Sequence, residues 1–91
     1  MFQPWAKLLI DMANPGEGDG VLDLACASGT VARMIAPRVG STGTVTGLDF
    51  SPPMLAVAQG APTMGGAEIE WVEGDAVAPP YDDGSFDLVI C

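Results

Sequence analysis

The stretch VLDLACASGT, residues 21–30, decides the fold. It places an acid, Asp23, inside an apolar run and follows the run at once with small residues and a glycine. The run predicts a short buried strand over 20–26, and the helical spacing of the apolar residues after Gly29 predicts a helix over 30–38. A turn from a strand into a helix presents free backbone N–H groups and the positive end of the helix dipole. Such a turn can therefore admit a ligand against the backbone.

The rest of the chain continues this alternation of strands and helices. A second strand over 44–49 precedes a helix over 51–59, which has the Ser51 hydroxyl for its N-cap and proline at its first position. Residues 67–72 and 85–91 have the patterns of an edge strand and a buried strand. The expected fold class is α/β with a parallel sheet.

An amphipathic helix is predicted before the first strand, over residues 2–13, and Asn14-Pro15-Gly16 ends it. Its apolar positions are expected to pack on the remaining structure. Proline and glycine at positions 37 and 40 are expected to end the helix that follows the turn. The apolar positions of the first helix are Phe2, Trp5, Leu8, Leu9 and Met12.

The strand order follows from which strand lies at the edge. Acids alternate with apolar residues in 67–72, which suits a half-exposed edge strand, so the fourth strand is expected beside the first, giving the order 3-2-1-4. Right-handed crossovers place the helices at 30–38 and 51–59 on one face. The connector over 73–85 is expected to cross the other face and to leave it largely bare. We therefore expect residues 1–91 to be a single domain truncated from a longer one.

Charge and composition exclude several classes of protein. Twelve acids face three basic residues, and a surface with a formal net charge of −9 repels nucleic-acid phosphates and anionic lipid. No apolar run reaches the roughly 20 residues of a membrane span. The sequence has no histidine, and its two cysteines are widely spaced, which argues against a metal site or a disulfide framework. We expect a cytoplasmic protein with no membrane span, no metal and no nucleic-acid partner.

The turn after the first strand lacks the fingerprint of a dinucleotide site. That motif needs glycine at the positions of Ala25, Ala27 and Thr30. A carboxylate at Asp23 would also repel a pyrophosphate and attract an ammonium or hydroxyl group. Two interpretations of Asp23 stay open: contact with such a ligand, or a cap on neighbouring backbone amides.

Four stretches of the chain resemble, in family order, the motifs of the class I S-adenosylmethionine-dependent methyltransferases, most closely those related to ubiquinone and menaquinone biosynthesis. The resemblance implies a Rossmann-like fold, in which this chain is the N-terminal part of a seven-stranded domain. It also implies S-adenosylmethionine as the cofactor and methyl transfer to a small-molecule acceptor. The four stretches are VLDLACASGT (21–30), GLDFSPPMLAVA (47–58), WVEGDA (71–76) and SFDLVIC (85–91).

The resemblance implies roles for the first two motifs. Asp23 and the turn that contains Ala25, Ala27 and Gly29 would border the methionine part of the cofactor. Asp49 would accept hydrogen bonds from both ribose hydroxyls, and its alternative role is a charge near the dipole of the following helix. The family usually has glycine at positions 25 and 27, so the methyl group at position 27 adds bulk where the cofactor passes close to the backbone.

The third motif would contact the adenine base. In the segment Gly74-Asp75-Ala76, the Asp75 carboxylate would accept from the adenine amino group, and the backbone N–H of Ala76 would donate to a ring nitrogen. Alone, this segment is also typical of a solvated turn. Phe50 and Met54 would pack near the base.

The end of the fourth strand and the reaction itself are less constrained. The carbonyl of Cys91 would face the amino group of the cofactor. No residue is an evident general base, because the three aspartates of the motifs have binding roles. Two other functions stay open: a non-catalytic cofactor-binding or interaction fragment, and an NAD-dependent oxidoreductase, which the missing glycine fingerprint disfavours.

Overall fold

Strands and helices alternate along the chain in the computed structural model, which describes residues 4–24, 29–61, 65–75, 77–78, 81 and 84–90. This confirms the α/β class expected from the sequence. The elements in chain order are α1 (Pro4–Ala13), β1 (Gly20–Leu24), α2 (Thr30–Val39), β2 (Thr44–Asp49), α3 (Pro52–Gly60), β3 (Ile69–Glu73) and β4 (Leu88–Ile90).

Strands β1 to β4 form one parallel sheet in the predicted order β3-β2-β1-β4. Asp23 on the central strand β1 lies opposite Gly47 on β2 and Ile90 on β4. Gly47 in turn lies opposite Trp71 on β3. Because residues in register share a face of a sheet, the side chains of Asp23, Trp71 and Ile90 project to the same side.

That side of the sheet carries the main core. Helix α2 packs on it, α1 packs on α2, and α3 covers its outer part next to β3. The helices at α2 and α3 therefore lie on one face, as right-handed crossovers predict. The buried residues of this cluster are Ile10, Val21, Val31, Ala32, Ile35, Ala36, Val39, Val45, Ala67 and Ile90.

Helix α2 continues two residues past Pro37, so the expectation that this proline stops the helix is wrong. A proline removes one N–H donor, and here the complete burial of Val39 in the next turn favours continuation of the helix. The helix ends where Gly40 takes a positive φ of 69° and donates its N–H to the carbonyl of Ala36 at 3.1 Å.

Helix α1 packs with a face that only partly matches the predicted one. Of the predicted apolar positions, Leu9 packs against the core, and Phe2 lies outside the described residues. Trp5, Leu8 and Met12 are 58%, 61% and 77% exposed, whereas Ile10 is 1% exposed and contacts the core. On the polar side, Asp11 pairs with Lys7 of its own helix and with Arg38 of α2. The helix is apolar on two faces, and only one of them meets α2.

Strands β3 and β4 differ from their predicted limits. The predicted 67–72 is shifted to Ile69–Glu73 because the N–H of Ala67 donates to the carbonyl of Ala36 at 3.0 Å and so ties residue 67 to α2. Strand β4 occupies the middle of the predicted 85–91. The predicted end of β1 at residues 25 and 26 lies outside the described residues.

The second face of the sheet is not bare at its centre, contrary to expectation. Leu22, Thr46 and Leu48 project to it and are buried. Tyr81 of the connector lies close to Glu70, which projects to this side, since burial and then the charge of Glu70 raise the pKa of Tyr81. Val89 on the edge strand β4 is half-exposed.

The orientation of α1 can be tested by replacing one residue on each apolar face. We expect Ile10→Ala to lower the free energy of unfolding by roughly 2–4 kcal/mol, because it leaves a cavity between α1 and the core. Leu8→Ala, the matched control on the same helix, should cost less than about 0.5 kcal/mol. Urea unfolding of the full-length protein measures both. Equal losses, or a larger loss for Leu8→Ala, would contradict the orientation.

Candidate functional site

Asp23 is buried between the end of β1 and the start of α2, with 4% of its surface exposed. The backbone N–H of Ala32, the third residue of α2, donates to its carboxylate. This N–H is one of the donors that the first turn of a helix cannot satisfy internally, and a negative charge there favours the helix dipole. This arrangement is the one that the capping interpretation of Asp23 predicts, and contact with a ligand stays a prediction beside it.

The Asp23 carboxylate is nevertheless poorly compensated. Burial, together with the nearby charge of Asp49, outweighs the Ala32 hydrogen bond and raises its pKa to about 7. Its Oδ2 atom is buried and has no hydrogen-bond partner among the described residues. A buried acceptor in this state favours a donor or a cation beside it.

Gly29 forms the junction between the turn and α2. It has a left-handed backbone, with φ 82° and ψ 13°, and its carbonyl accepts the first helical hydrogen bond from the N–H of Arg33 at 2.9 Å. A Cβ atom on this residue would lie 2.5 Å from Cη2 of Trp71 and 3.0 Å from Cβ of Ala58. Both the backbone conformation and the packing therefore require glycine.

Asp49 lies at the end of β2, on the same face as Asp23 and buried like it. Its Oδ1 accepts from the N–H of Ser51 at 2.9 Å, just before α3 begins. Its carbonyl accepts from the N–H of Gly74 at 3.0 Å, which ties the end of β3 to the end of β2. Ser51 is the N-cap of α3, as predicted, and accepts at 3.5 Å from the N–H of Met54.

Asp75 directly follows the residue that is tied to Asp49. It is exposed, and its Oδ1 accepts from the N–H of Val77 at 2.9 Å while its carbonyl accepts from Ala78 at 3.1 Å. This is the solvated turn that the sequence left as an alternative. Phe50, which directly follows β2, is 77% exposed and presents an apolar ring at the carboxyl end of that strand.

The structure thus gathers much of the predicted site at one edge of the sheet. Asp23, Gly29, Asp49 and Gly74 lie at the carboxyl ends of β1, β2 and β3 or in the segments that follow them. Four predicted site residues lie outside the described residues, namely Ala25, Ala27, Ala76 and Cys91.

Sequence reasoning missed Trp71. The alternation of β3 indicated an edge strand and gave its tryptophan no role. In the structure, the ring of Trp71 lies against Gly29 at the start of α2. A possible signal was the pair of glycines, Gly29 and Gly47, which leave space for a large ring from the neighbouring strand.

The chemistry of this edge fits a cationic ligand that carries hydroxyl groups. It has two buried carboxylates, one of them with an unpartnered oxygen, and a carboxylate accepts from hydroxyl or ammonium donors. The described residues contain no group of three or more acidic, cysteine or histidine side chains arranged to hold a metal ion.

Comparison with known proteins shows which family has this sequence. Residues 21–91 match the family described as methyltransferase domain. The chain belongs to this family. Since the match begins at Val21, it includes β1 from its second residue and all of the site residues named above.

Individual methyltransferases are similar over most of the chain. It is 44% identical over 89 residues to the chloroplastic 2-phytyl-1,4-beta-naphthoquinone methyltransferase of Arabidopsis thaliana, covering 93% of this chain and 34% of that protein. It is 39% identical over 85 residues to the demethylmenaquinone methyltransferase of Thermus thermophilus, and this match covers 93% of this chain and 38% of that protein. The solved structure of an arsenic(III) S-adenosylmethionine methyltransferase from Chlamydomonas reinhardtii superposes with a TM-score of 0.67 at 32% identity, covering 85% and 29%.

These similarities confirm the predicted family, its Rossmann-like fold and S-adenosylmethionine as the cofactor of this class. The chain spans about a third of the length of the curated relatives it matches. Within the part that the structure describes, no helix combines the length and the apolar character that crossing a bilayer requires. The Arabidopsis relative is chloroplastic, so a cytoplasmic location of this methyltransferase-family chain stays a prediction.

The raised pKa of Asp23 predicts how stability depends on pH. Its folded pKa of about 7 exceeds the ordinary aspartate value of 3.8, so the native state holds its proton more tightly than the unfolded state does. The contribution of Asp23 to the free energy of unfolding is therefore most favourable below about pH 4. This contribution is lost as the pH rises from about 4 to 7, and it does not change further above pH 7. Integrated over this range, the loss amounts to about 4 kcal/mol.

Asp23→Asn should remove this dependence because the amide does not ionise. We expect the variant to gain stability relative to the wild type as the pH rises from 4 to 7. Denaturant unfolding of both proteins at pH 5 and pH 8 measures it, and the difference between the proteins isolates Asp23 from the other carboxylates. A difference that does not change with pH would contradict the assignment.

Proposed function

We propose that the protein is an S-adenosylmethionine-dependent methyltransferase acting on a small-molecule acceptor, and that residues 1–91 supply its cofactor-binding half as a single domain. The observation that carries the proposal is the buried pair Asp23 and Asp49 at the carboxyl edge of a parallel sheet, with Oδ2 of Asp23 unpartnered among the described residues. Ligands of open α/β sheets bind at this edge.

Each carboxylate has a distinct task in this proposal. Asp23 faces the positively charged methionine end of the cofactor, together with the turn that contains Ala25 and Ala27 and ends at Gly29. Asp49 accepts from the two ribose hydroxyls, and it can do so while accepting from the Ser51 N–H because a carboxylate offers about four acceptor positions. When bound, S-adenosylmethionine supplies the methyl group of its sulfonium.

In the same proposal, the adenine end of the cofactor binds beside Asp75. The hydrogen bond from the Gly74 N–H to the Asp49 carbonyl supports this, because it holds the neighbour of Asp75 against Asp49. The exposed ring of Phe50 offers a surface for the base, and Met54 on the first turn of α3 offers a second apolar contact. Ala76 donates its N–H to the ring, and the Cys91 carbonyl accepts from the cofactor's amino group.

The acceptor is an uncharged or weakly charged small molecule. The formal net charge of −9 disfavours nucleic acid, and the similar proteins named above include two that act on naphthoquinone or menaquinone precursors. A quinone of that class is the first acceptor to test. The protein's contribution to the reaction is alignment of donor and acceptor and exclusion of water.

A non-catalytic cofactor-binding or interaction protein is the second candidate. It is favoured by one observation, that the three acids of the motifs, Asp23, Asp49 and Asp75, all have binding roles in the proposal, which leaves none of them as a general base. It predicts cofactor binding without methyl transfer to any quinone. An oxidoreductase would instead bind NAD, which the acid beside the turn and its missing glycines oppose.

Titration calorimetry tests the binding half of the proposal on the full-length protein. S-adenosylmethionine and S-adenosylhomocysteine should each bind saturably, and NAD should not bind. Asp49→Asn should weaken both by about 10–100-fold, because it removes charge-assisted hydrogen bonds. Glu73→Gln is the matched control, since Glu73 is the exposed partner of Asp49 in the strand register, and it should change affinity less than about twofold.

Saturable NAD binding, or no binding of either adenosyl compound, would contradict the proposal. Equal effects of Asp49→Asn and Glu73→Gln would remove Asp49 from the site. Methyl transfer from labelled S-adenosylmethionine to a demethylated quinone then separates an enzyme from a protein that only binds.

The methyl group of Ala27 gives a further prediction. If the cofactor passes close to the backbone of the turn, as the proposal requires, Ala27→Gly should tighten S-adenosylhomocysteine binding by about 2–10-fold, because it removes a methyl group from the path of the cofactor. The same calorimetric titration measures it. Unchanged or weaker binding would show that the turn does not approach the cofactor there.

A further inference from the structure

Trp71 connects the edge strand to the start of α2. It lies on β3 in register with Gly47, which is in register with Asp23, so the three residues form a row across the sheet on the helix-covered face. The middle residue has no side chain. The Trp71 ring reaches Gly29, where an added Cβ would lie 2.5 Å from Cη2 and 2.9 Å from Cζ3.

The contact acts on the residues that hold Asp23. Gly29 precedes α2, and the N–H of Ala32, three residues later, donates to the Asp23 carboxylate. Any displacement of Gly29 therefore moves that donor and changes the environment of the buried acid. The Trp71 ring limits such displacement from one side, and Ala58 of α3 limits it as well.

Burial alone does not account for a tryptophan at this position. The side chain is only partly buried, and it also lines an open cleft of about 270 Å³ between α3 and β3, together with Leu55, Gln59 and Glu73. A smaller apolar residue would fill the buried part of this position. It would not extend across Gly47 to the turn, because neighbouring strands are separated by about 4.8 Å.

We propose that Trp71 is a positioning residue for the cofactor. Its ring holds the start of α2, and through it the Asp23 carboxylate, in the arrangement that binds the methionine end. This inference rests on the proposed function. It differs from a purely structural role because it requires Trp71 to affect affinity beyond its effect on folding.

The test measures S-adenosylhomocysteine affinity by calorimetry and stability by urea unfolding, both on the full-length protein. Trp71→Leu should weaken binding by about tenfold, and Trp71→Phe, which retains an aromatic ring, should recover at least part of this loss. Ile69→Ala is the matched control, because Ile69 lies on the same strand and face but pairs with Val45, two residues away from the row. It should lower stability and change affinity by less than about twofold.

A double variant tests the contact itself. Gly29→Ala should weaken binding by about 30-fold or more, since the added methyl meets the Trp71 ring and the backbone has a positive φ. Adding Trp71→Leu should recover about threefold or more, because it relieves the clash with the ring and leaves the backbone strain and the close contact with Ala58. Independent residues would instead give additive losses.

The outcomes separate this inference from the proposed function. If the wild type binds and Trp71→Leu binds equally well, or if the two losses are additive, the positioning role is overturned and the proposed function stands. If the wild type binds neither adenosyl compound, the proposed function is overturned and the positioning role with it. Weaker binding by Trp71→Leu, retained binding by Ile69→Ala and recovery in the double variant together establish the role.

Discussion

A carboxylate buried at the end of the central strand is the constraint on which the rest of the structure depends. Asp23 is removed from water, and burying a charge is costly unless partners compensate for it. The fold supplies the N–H of Ala32 and the positive end of α2, yet it also places Asp49 nearby, and the net result is a raised pKa. A residue selected for stability alone would not ionise here. The unmet acceptor capacity is what a cationic ligand would satisfy.

The parallel topology explains why the acids meet. All strands run in one direction, so the carboxyl ends of β1, β2 and β3 share one edge, and each is followed by a turn that can approach the same ligand. Strand β1 is central because the chain adds β2 and β3 on one side and β4 on the other. This reversal creates the crevice at the end of β1, where open α/β sheets bind ligands. The helices stabilise the arrangement from one face.

Sequence alone predicted what depends on local pattern. The strand order followed from the acids of β3, and the predicted limits of β2 at 44–49 are those of the structure. The faces of α1 could not be predicted, because Trp5, Leu8 and Met12 have the same spacing as a buried stripe and only the position of α2 selects Ile10 instead. The continuation of α2 past Pro37 likewise depends on the burial of Val39 against the sheet. Both are effects of tertiary packing, which the 3.6-residue periodicity of the sequence does not show.

The features of the candidate site also separate into those that the sequence predicts and those that only packing produces. Its acids were predictable because each follows a strand in a recognisable motif, whereas the pKa of Asp23 and the contact of Trp71 with Gly29 arise only from packing. The two packing effects act together in the proposed site. Because the pKa of Asp23 is raised to about 7, a cation that requires the carboxylate has only a small free-energy cost to displace its proton near neutral pH. The fold therefore keeps Asp23 close to its binding form without the full cost of a buried charge. That balance depends on the distance between the acid and the start of α2, which the ring of Trp71 helps to fix.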